Sequence, residues 1–367
     1  MKFEINRLEM LKAAKNAARV APTGAPVEVL NGIFIESDED SGHIFMTATN
    51  LETAIQYKVK ASVTNSGTML VSARIIVGML SLLQGEFITF ESAGENALVV
   101  KGGRCVYQVN CALSKHYPKP IMPFPEETAK LSGICSLAGR TAFAIAKDNS
   151  KPVLQCVDVK LRGNAVHATA CDGFRIMLVK GEAESQGTRE FLLPGRALQL
   201  LASVSSDEDI YDVGDVGGEI VFVREDMMFT MKKIPGEYID TNKVVQSIKP
   251  AYTAVADSKE LKAALELIKI DTDTAPVKLN FSDGQIHLHR NSKDGEANTA
   301  VSAAISSGTP DSGFYYHVDN LYKLFQVVDG RVRLEIDARG MMIVKTVNEV
   351  YVQTPQRPPA KSKEVAA

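Results

Sequence analysis

An α+β fold made of three repeated domains is what the sequence predicts, on three observations. The chain has 367 residues, more than one hydrophobic core ordinarily organises. Its landmarks recur three times in the same order at nearly constant spacing. Each pass also holds two stretches of helical periodicity among several short strand-like runs, which suits helices gathered on one side of antiparallel sheet.

The first pass opens with Leu8 to Val20, where Leu8, Leu11, Ala14 and Ala18 fall at helical spacing. Pro26-Val27-Glu28-Val29-Leu30 precedes a strand, Gly32-Ile33-Phe34-Ile35, and Ala48-Thr49-Asn50-Leu51-Glu52 follows. A second helix from Ser72 to Leu83 leads into the strand Phe87-Ile88-Thr89-Phe90, and Val106-Tyr107-Gln108-Val109 closes the unit. The second pass runs from a helix at Leu137 to Lys147 through Pro152, Ala170-Cys171-Asp172-Gly173 and a helix opened by Pro194-Gly195-Arg196 to Phe229-Thr230-Met231. The third has helices at Ser258 to Ile270 and from Val318, and ends on Val350-Tyr351-Val352. The prolines Pro26, Pro152 and Pro276 lie 126 and 124 residues apart, and the closing aromatics Tyr107, Phe229 and Tyr351 are each separated by 122. The expected domains are 1–122, 123–247 and 248–357, with joints at Pro120 to Pro125 and Gln246 to Pro250 and a disordered tail over 358–367.

Apolar content of 45% and charged content of 23% are ordinary for a globular protein. A net charge of −3 excludes a uniformly basic surface, so positive charge must be gathered locally if a polyanion binds. The first helix does gather it: Lys12, Lys15 and Arg19 sit at i, i+3 and i+7. Arg140 and Lys147 are seven apart in the second pass, Lys259, Lys262 and Lys269 share a face in the third, and Arg74 and Arg196 stand at second-helix starts. Faces repeated in this way hold phosphates without reading bases.

The five cysteines include no CxxC pair and are odd in number, so they indicate neither a zinc site nor a disulfide framework. The N-terminus has no signal-peptide core and no apolar run reaches membrane-spanning length, which makes the cytoplasm the expected compartment. Three patterns invite an enzymatic or ligand reading. His167 and Cys171-Asp172 lie within one strand-like run, where a nucleophile and base do not converge. His287 and His289 share a strand face with no third metal ligand in view, and Gly214 to Gly218 lacks the GxxxxGK pattern. No catalytic residue, metal or cofactor is expected.

Several ordered segments are similar to the bacterial DNA polymerase III beta subunits. They are Met1-Lys2-Phe3, Leu30-Asn31-Gly32-Ile33, Thr49-Asn50-Leu51-Glu52, Ala168-Thr169-Ala170-Cys171-Asp172-Gly173-Phe174-Arg175, Leu193-Pro194-Gly195-Arg196 and Gly236-Glu237-Tyr238-Ile239-Asp240. The resemblance spans residues 1 to 357 and implies a DNA-clamp fold whose head-to-tail dimer forms a six-domain ring around duplex DNA. On that reading Lys12, Lys15, Arg19, Arg74, Arg140, Lys147, Lys151, Arg196 and Lys262 meet DNA, and Tyr107 and Ile268 lie at the dimer interface. A cleft for partner peptides would take Leu154, Cys171, Gly173, Phe174, Arg175, Ile176, Ile239, Lys243, Val244, Val352, Thr354, Pro355, Gln356 and Arg357. The implied partners are duplex DNA, a second copy, the polymerase III alpha subunit, other polymerases and the clamp loader, with no membrane.

The chain also departs from the family. Thr354-Pro355-Gln356-Arg357-Pro358 stands where a Met-Pro-Met-Arg-Leu-like segment is usual, Phe174 replaces a His, Cys171 a Thr, and Gly24 an Arg. Loss of two flexible thioethers makes that wall more polar, which points to a divergent copy with altered partners. The alternative reading is a three-repeat protein-binding scaffold that does not encircle DNA.

Overall fold

The computed structural model describes residues 1–148, 150–182, 188–269, 275–308, 310 and 312–359, so Ile270 and the tail from 360 onward lie outside the described residues. The chain divides into two compact units that interleave the sequence: Met1–Ser136 with Ala183–Ile234, and Leu137–Glu182 with Pro235–Ala367.

The first unit holds a five-stranded sheet in the order Ser62–Asn65, Lys2–Asn6, Phe87–Ser92, Ala97–Gly102, Cys105–Asn110. Its eight-stranded sheet runs Ala129–Leu131, Tyr211–Val216, Glu219–Arg224, Met227–Lys232, Thr53–Lys60, His43–Thr49, Gly32–Asp38, Gly67–Ser72. In the second unit the order is Cys156–Arg162, Ala165–Cys171, Arg175–Glu182, Glu349–Gln353, Met342–Lys345, Arg331–Asp337, Pro250–Asp257, Gly295–Ser307, Gln285–Ser292, Val277–Ser282, Phe314–Tyr316. The pairings described for both units are antiparallel.

Both units are built across the boundary between two sequence repeats, and they do it in the same way. Phe229 of the second repeat pairs with Ile55 of the first. Tyr351 of the third pairs with Met177 of the second. Each partner in one joint lies 122 residues from its counterpart in the other, so the register is repeated along with the sequence. Joining repeats edge to edge satisfies a row of backbone donors and acceptors that an isolated repeat would leave open.

Helix Arg7–Val20 starts where the Asn6 side chain accepts from the backbone N–H groups of Leu8 and Glu9. Its buried face is Met10, Leu11, Ala13, Ala14, Ala17 and Val20, whose three alanines let it lie close on strands His43–Thr49 and Thr53–Lys60. This shifts the apolar stripe expected from sequence: Leu8 is 62% exposed, on the same face as Lys12, Lys15 and Arg19. The helix expected over Leu137 to Lys147 is Ile134–Thr141, followed by a 3-10 turn at Ala142–Ala144. The expected joint at Gln246 to Pro250 begins inside an unforeseen helix, Thr241–Ser247, capped by Asp240 accepting from the Lys243 N–H. Helices Ala73–Leu82, Gly195–Ser203, Ser258–Ile268 and Val318–Val327 fall where the repeat placed them.

Candidate functional site

In the second unit, Asp172-Gly173-Phe174-Arg175 makes a tight turn between strands Ala165–Cys171 and Arg175–Glu182. Gly173 takes a positive φ of 92°, a conformation costly for any residue with a Cβ. The Asp172 carboxylate accepts from the backbone N–H of Phe174 and of Arg175, both at 2.9 Å. Arg175 is buried. Its Nε donates to Asp172 Oδ2 at 2.8 Å, its Nη1 donates to Asn320 Oδ1 at 2.7 Å, and its guanidinium lies 5.5 Å from the Phe143 ring centre. One side chain therefore ties the turn to helix Val318–Val327. Phe174, between these fixed residues, stays 69% exposed.

The C-terminal segment is held against the same turn. Thr354 N–H donates to Phe174 O at 2.9 Å, and Gln356 N–H donates to Tyr315 O at 2.7 Å. Between them opens a cavity of about 640 Å³, bordered by Asp172, Phe174, Pro276, His317, Asn320 and the run Gln353 to Arg357. Leu154, Cys171, Ile176 and Val352 are buried together with Ile248 and Ile343, and Val153, Tyr238, Val244 and Val245 pack on them. The structure thus provides a buried apolar cluster and an open cavity of mixed polar and apolar lining, a combination suited to an extended peptide with anchor side chains.

Of the expected cleft residues, Leu154, Cys171, Ile176, Val244 and Val352 are brought into that apolar cluster. Phe174, Thr354, Pro355, Gln356 and Arg357 border the cavity, and Gly173 and Arg175 shape the turn beside it. Ile239 and Lys243 belong to neither group: Ile239 is 39% exposed ahead of helix Thr241–Ser247, and Lys243 is exposed and paired with Asp240 at 3.3 Å. Sequence reasoning missed Asp172, Pro276, His317, Asn320 and Gln353. Asp172 alone carried a readable signal, as a turn former three residues before an arginine.

The cations divide into four groups. In the first unit helix Arg7–Val20 packs on both Ala73–Leu82 and Gly195–Ser203. Lys12, Lys15, Arg19, Arg74 and Arg196 are all exposed there, and among the described residues none of the five makes an ion pair. In the second unit Arg140 is committed to an ion pair with the buried Glu349 carboxylate. Lys147 and Lys151 are exposed next to the apolar cluster, with Lys151 acting on Cys171 and Lys147 on Lys323. Lys262 is half-buried on helix Ser258–Ile268.

Tyr107, 44% exposed, lies on the edge strand Cys105–Asn110. Ile268 is a correction: only 1% exposed, it packs inside its own protomer, and its neighbour Leu267 is the surface residue. Cys171 is a buried thiol raised above its ordinary range by desolvation, and its Sγ accepts from the Gly173 N–H at 3.3 Å. His167 lies four residues back along the strand, about 13 Å at ordinary strand rise, too far to activate that thiol. His289 Nδ1 is 2.7 Å from Asn298 Oδ1, and among the described residues no group of three or more metal-type side chains gathers. Among the described residues no helix is long and apolar enough to cross a membrane.

Comparison with known proteins agrees with this architecture. Residues 1–122 match the N-terminal domain of the DNA polymerase III beta subunit, and residues 130–240 match its central domain. The chain is 23% identical over 307 residues to a beta sliding clamp of Micrococcus luteus, covering 82% of this chain and 98% of the relative. It is 27% identical over 282 residues to the one from Synechococcus elongatus, covering 74% and 75%. Among solved structures, the DNA polymerase sliding clamp of Bacillus subtilis superposes with a TM-score of 0.88 at 17% identity, covering 98% of this chain and all of that one (100%). The Thermotoga maritima DNA polymerase III beta subunit gives 0.87 at 20%, over 98% and 100%. With both family domains matched in order over more than half its length, the chain belongs to the DNA polymerase III beta subunit family.

Proposed function

We propose that two copies of this chain close into a ring around duplex DNA, and that the cleft in the second unit tethers polymerases and other proteins to it. One observation carries the ring. The joint that links repeat one to two, and two to three, has a third pair of edges at the same 122-residue offsets, one around Tyr107 and one around Thr299, that among the described residues stays open within the chain. Strand Cys105–Asn110 is the counterpart of Met227–Lys232 and Glu349–Gln353, and it lies at a sheet edge with Val106 66% exposed. The counterpart of Thr53–Lys60 and Arg175–Glu182 falls in Gly295–Ser307. Among the described residues, Gly295 to Ser302 pairs on one side only, with Gln285–Ser292, whereas Ala303 to Ser307 pairs with Thr253–Ala256.

Continuing the register puts Tyr107 of one copy opposite Thr299 of the next, and Val106 opposite Ala300. Such an interface is heterologous, and three repeats per chain close it after two copies. Each chain then reads as three domains, 1–122, 123–247 and 248–357, whose joints are the paired edges. An open apolar edge strand is otherwise an aggregation hazard, and ring closure removes it.

The free cations of the first unit supply the DNA contacts: five side chains on three packed helices, in a protein of net charge −3. They attract phosphates without fixing a position, so the ring slides, while topology rather than contact strength prevents dissociation. The bound partner gains a high effective concentration at the DNA. The chain acts as a non-catalytic accessory subunit in the cytoplasm, and opening the ring falls to a separate ATP-driven loader. Light scattering at micromolar concentration tests the assembly. A particle of twice the 39.8 kDa chain mass is expected, and a monomer would overturn the ring.

A further inference from the structure

The cleft is bordered by more positive charge than the fold requires. Lys323 lies one turn beyond Asn320, which borders the cavity, and within electrostatic reach of Lys147, Arg175 and Lys269. Lys151 is exposed and within electrostatic reach of Cys171 in the buried apolar cluster, and Arg357 borders the cavity itself. Two of the neighbouring cations are already neutralised, Arg175 by Asp172 and Lys269 by Asp319. Among the described residues Lys147, Lys151, Lys323 and Arg357 make no ion pair.

The preceding joint gives an internal control. With the repeats aligned on their prolines, paired strands and buried helix leucines, the positions matching Lys147, Lys151, Arg175 and Lys323 are Ala21, Ala25, Thr53 and Leu200. That joint builds the same turn, with Asn50 Oδ1 accepting from Glu52 and Thr53 N–H and Lys232 N–H donating to Glu52 O at 2.9 Å. It does so with no cation at any of the four places. Arg175 is taken up within the chain by Asp172 and Asn320, so it is Lys147, Lys151 and Lys323 that answer to something outside it.

Resting on the peptide-cleft reading above, we infer that this cleft selects acidic peptides: segments that place apolar anchors in the cavity against Phe174, Pro276 and Pro355 and carboxylates against Lys147 and Lys323. The polar run Thr354 to Gln356 offers less apolar contact than thioethers would, so charge complementarity takes a larger share of the discrimination. Each screened ion pair at such a rim changes affinity by about threefold, and two by about tenfold.

The test is fluorescence anisotropy with two labelled peptides of about ten residues, alike in their leucine anchors, one carrying two aspartates and the other asparagines in their place. The expected result is about tenfold tighter binding of the acidic peptide at low salt, with the gap closing to about twofold at high salt. Lys147→Gln with Lys323→Gln should bring the affinity for the acidic peptide to within about twofold of that for the asparagine peptide. Equal affinities for the two peptides would overturn acidic selection while leaving the cleft intact. Failure of both peptides to bind would remove the cleft reading and this inference with it. Displacement of both peptides alike by a short single-stranded oligonucleotide, with no aspartate–asparagine difference, would assign the cations to nucleic acid instead.

Discussion

Replacing Arg175 by methionine should cost about 3 kcal/mol of stability in the second unit, and the structure indicates where that loss arises. Truncating one member of a buried ion pair typically costs 3–5 kcal/mol, because the other charge is left without compensation. Here the Arg175 side chain is 4% exposed and Asp172 is 16% exposed. Asp172 keeps its two backbone N–H donors at 2.9 Å after the substitution, which places the loss near about 3 kcal/mol, the lower end of that range. The bond to Asn320 and the contact with Phe143 disappear too, so the turn should detach from helix Val318–Val327. Arg175→Lys keeps the charge without the fork and should lose about half as much. The chain has no tryptophan, so guanidinium unfolding is followed by far-UV circular dichroism, with hydrogen exchange over residues 170–180 to locate the change. A loss below about 1 kcal/mol, or exchange unchanged in the turn, would refute the view that Arg175 holds the cleft together.

Leu51 occupies the place of Gly173 in the preceding joint, at φ 74° and half exposed, so Leu51→Gly should stabilise the first unit by about 0.5–1 kcal/mol in thermal or chemical unfolding. Burial holds His317 and His167 below the ordinary histidine range, so folding favours their neutral forms. Their contribution is complete above the unfolded histidine value of 6.5 and is lost as pH falls toward the lowered folded values. The unfolding midpoint should therefore drop between about pH 7 and pH 5, with a shallower fall in His317→Gln. Converting Lys12, Lys15 and Arg19 to alanine should leave the fold intact and reduce the salt slope of DNA binding by about 2–3, read from titrations at several ionic strengths.

Local signals carried much of the fold. Helix positions followed from apolar spacing and from the 122-residue period. Pairings between distant residues were not readable. Arg140 is neutralised by Glu349, 209 positions away, and Arg175 reaches Asn320, 145 away. Both depend on how two repeats share one sheet, which short-range pattern does not encode. Helix Thr241–Ser247 escaped notice because seven residues span only two turns, too few for periodicity to show. At Ile268 the neighbouring Leu267 is equally apolar, and only packing decides which of the two faces solvent. The repeat carried more than it first showed: a constant offset in sequence became a constant register in the sheets.

That register gives the most direct test of the ring. In a Cys105→Ser background, Val106→Cys and Ala300→Cys should face each other across the interface, because antiparallel partners lie within disulfide range. Mild oxidation should yield a covalent dimer on a non-reducing gel, while the register-shifted pair Val106→Cys with Asn298→Cys should remain monomeric. Monomer from both pairs, or equal cross-linking of the two, would contradict closure by a third copy of the joint.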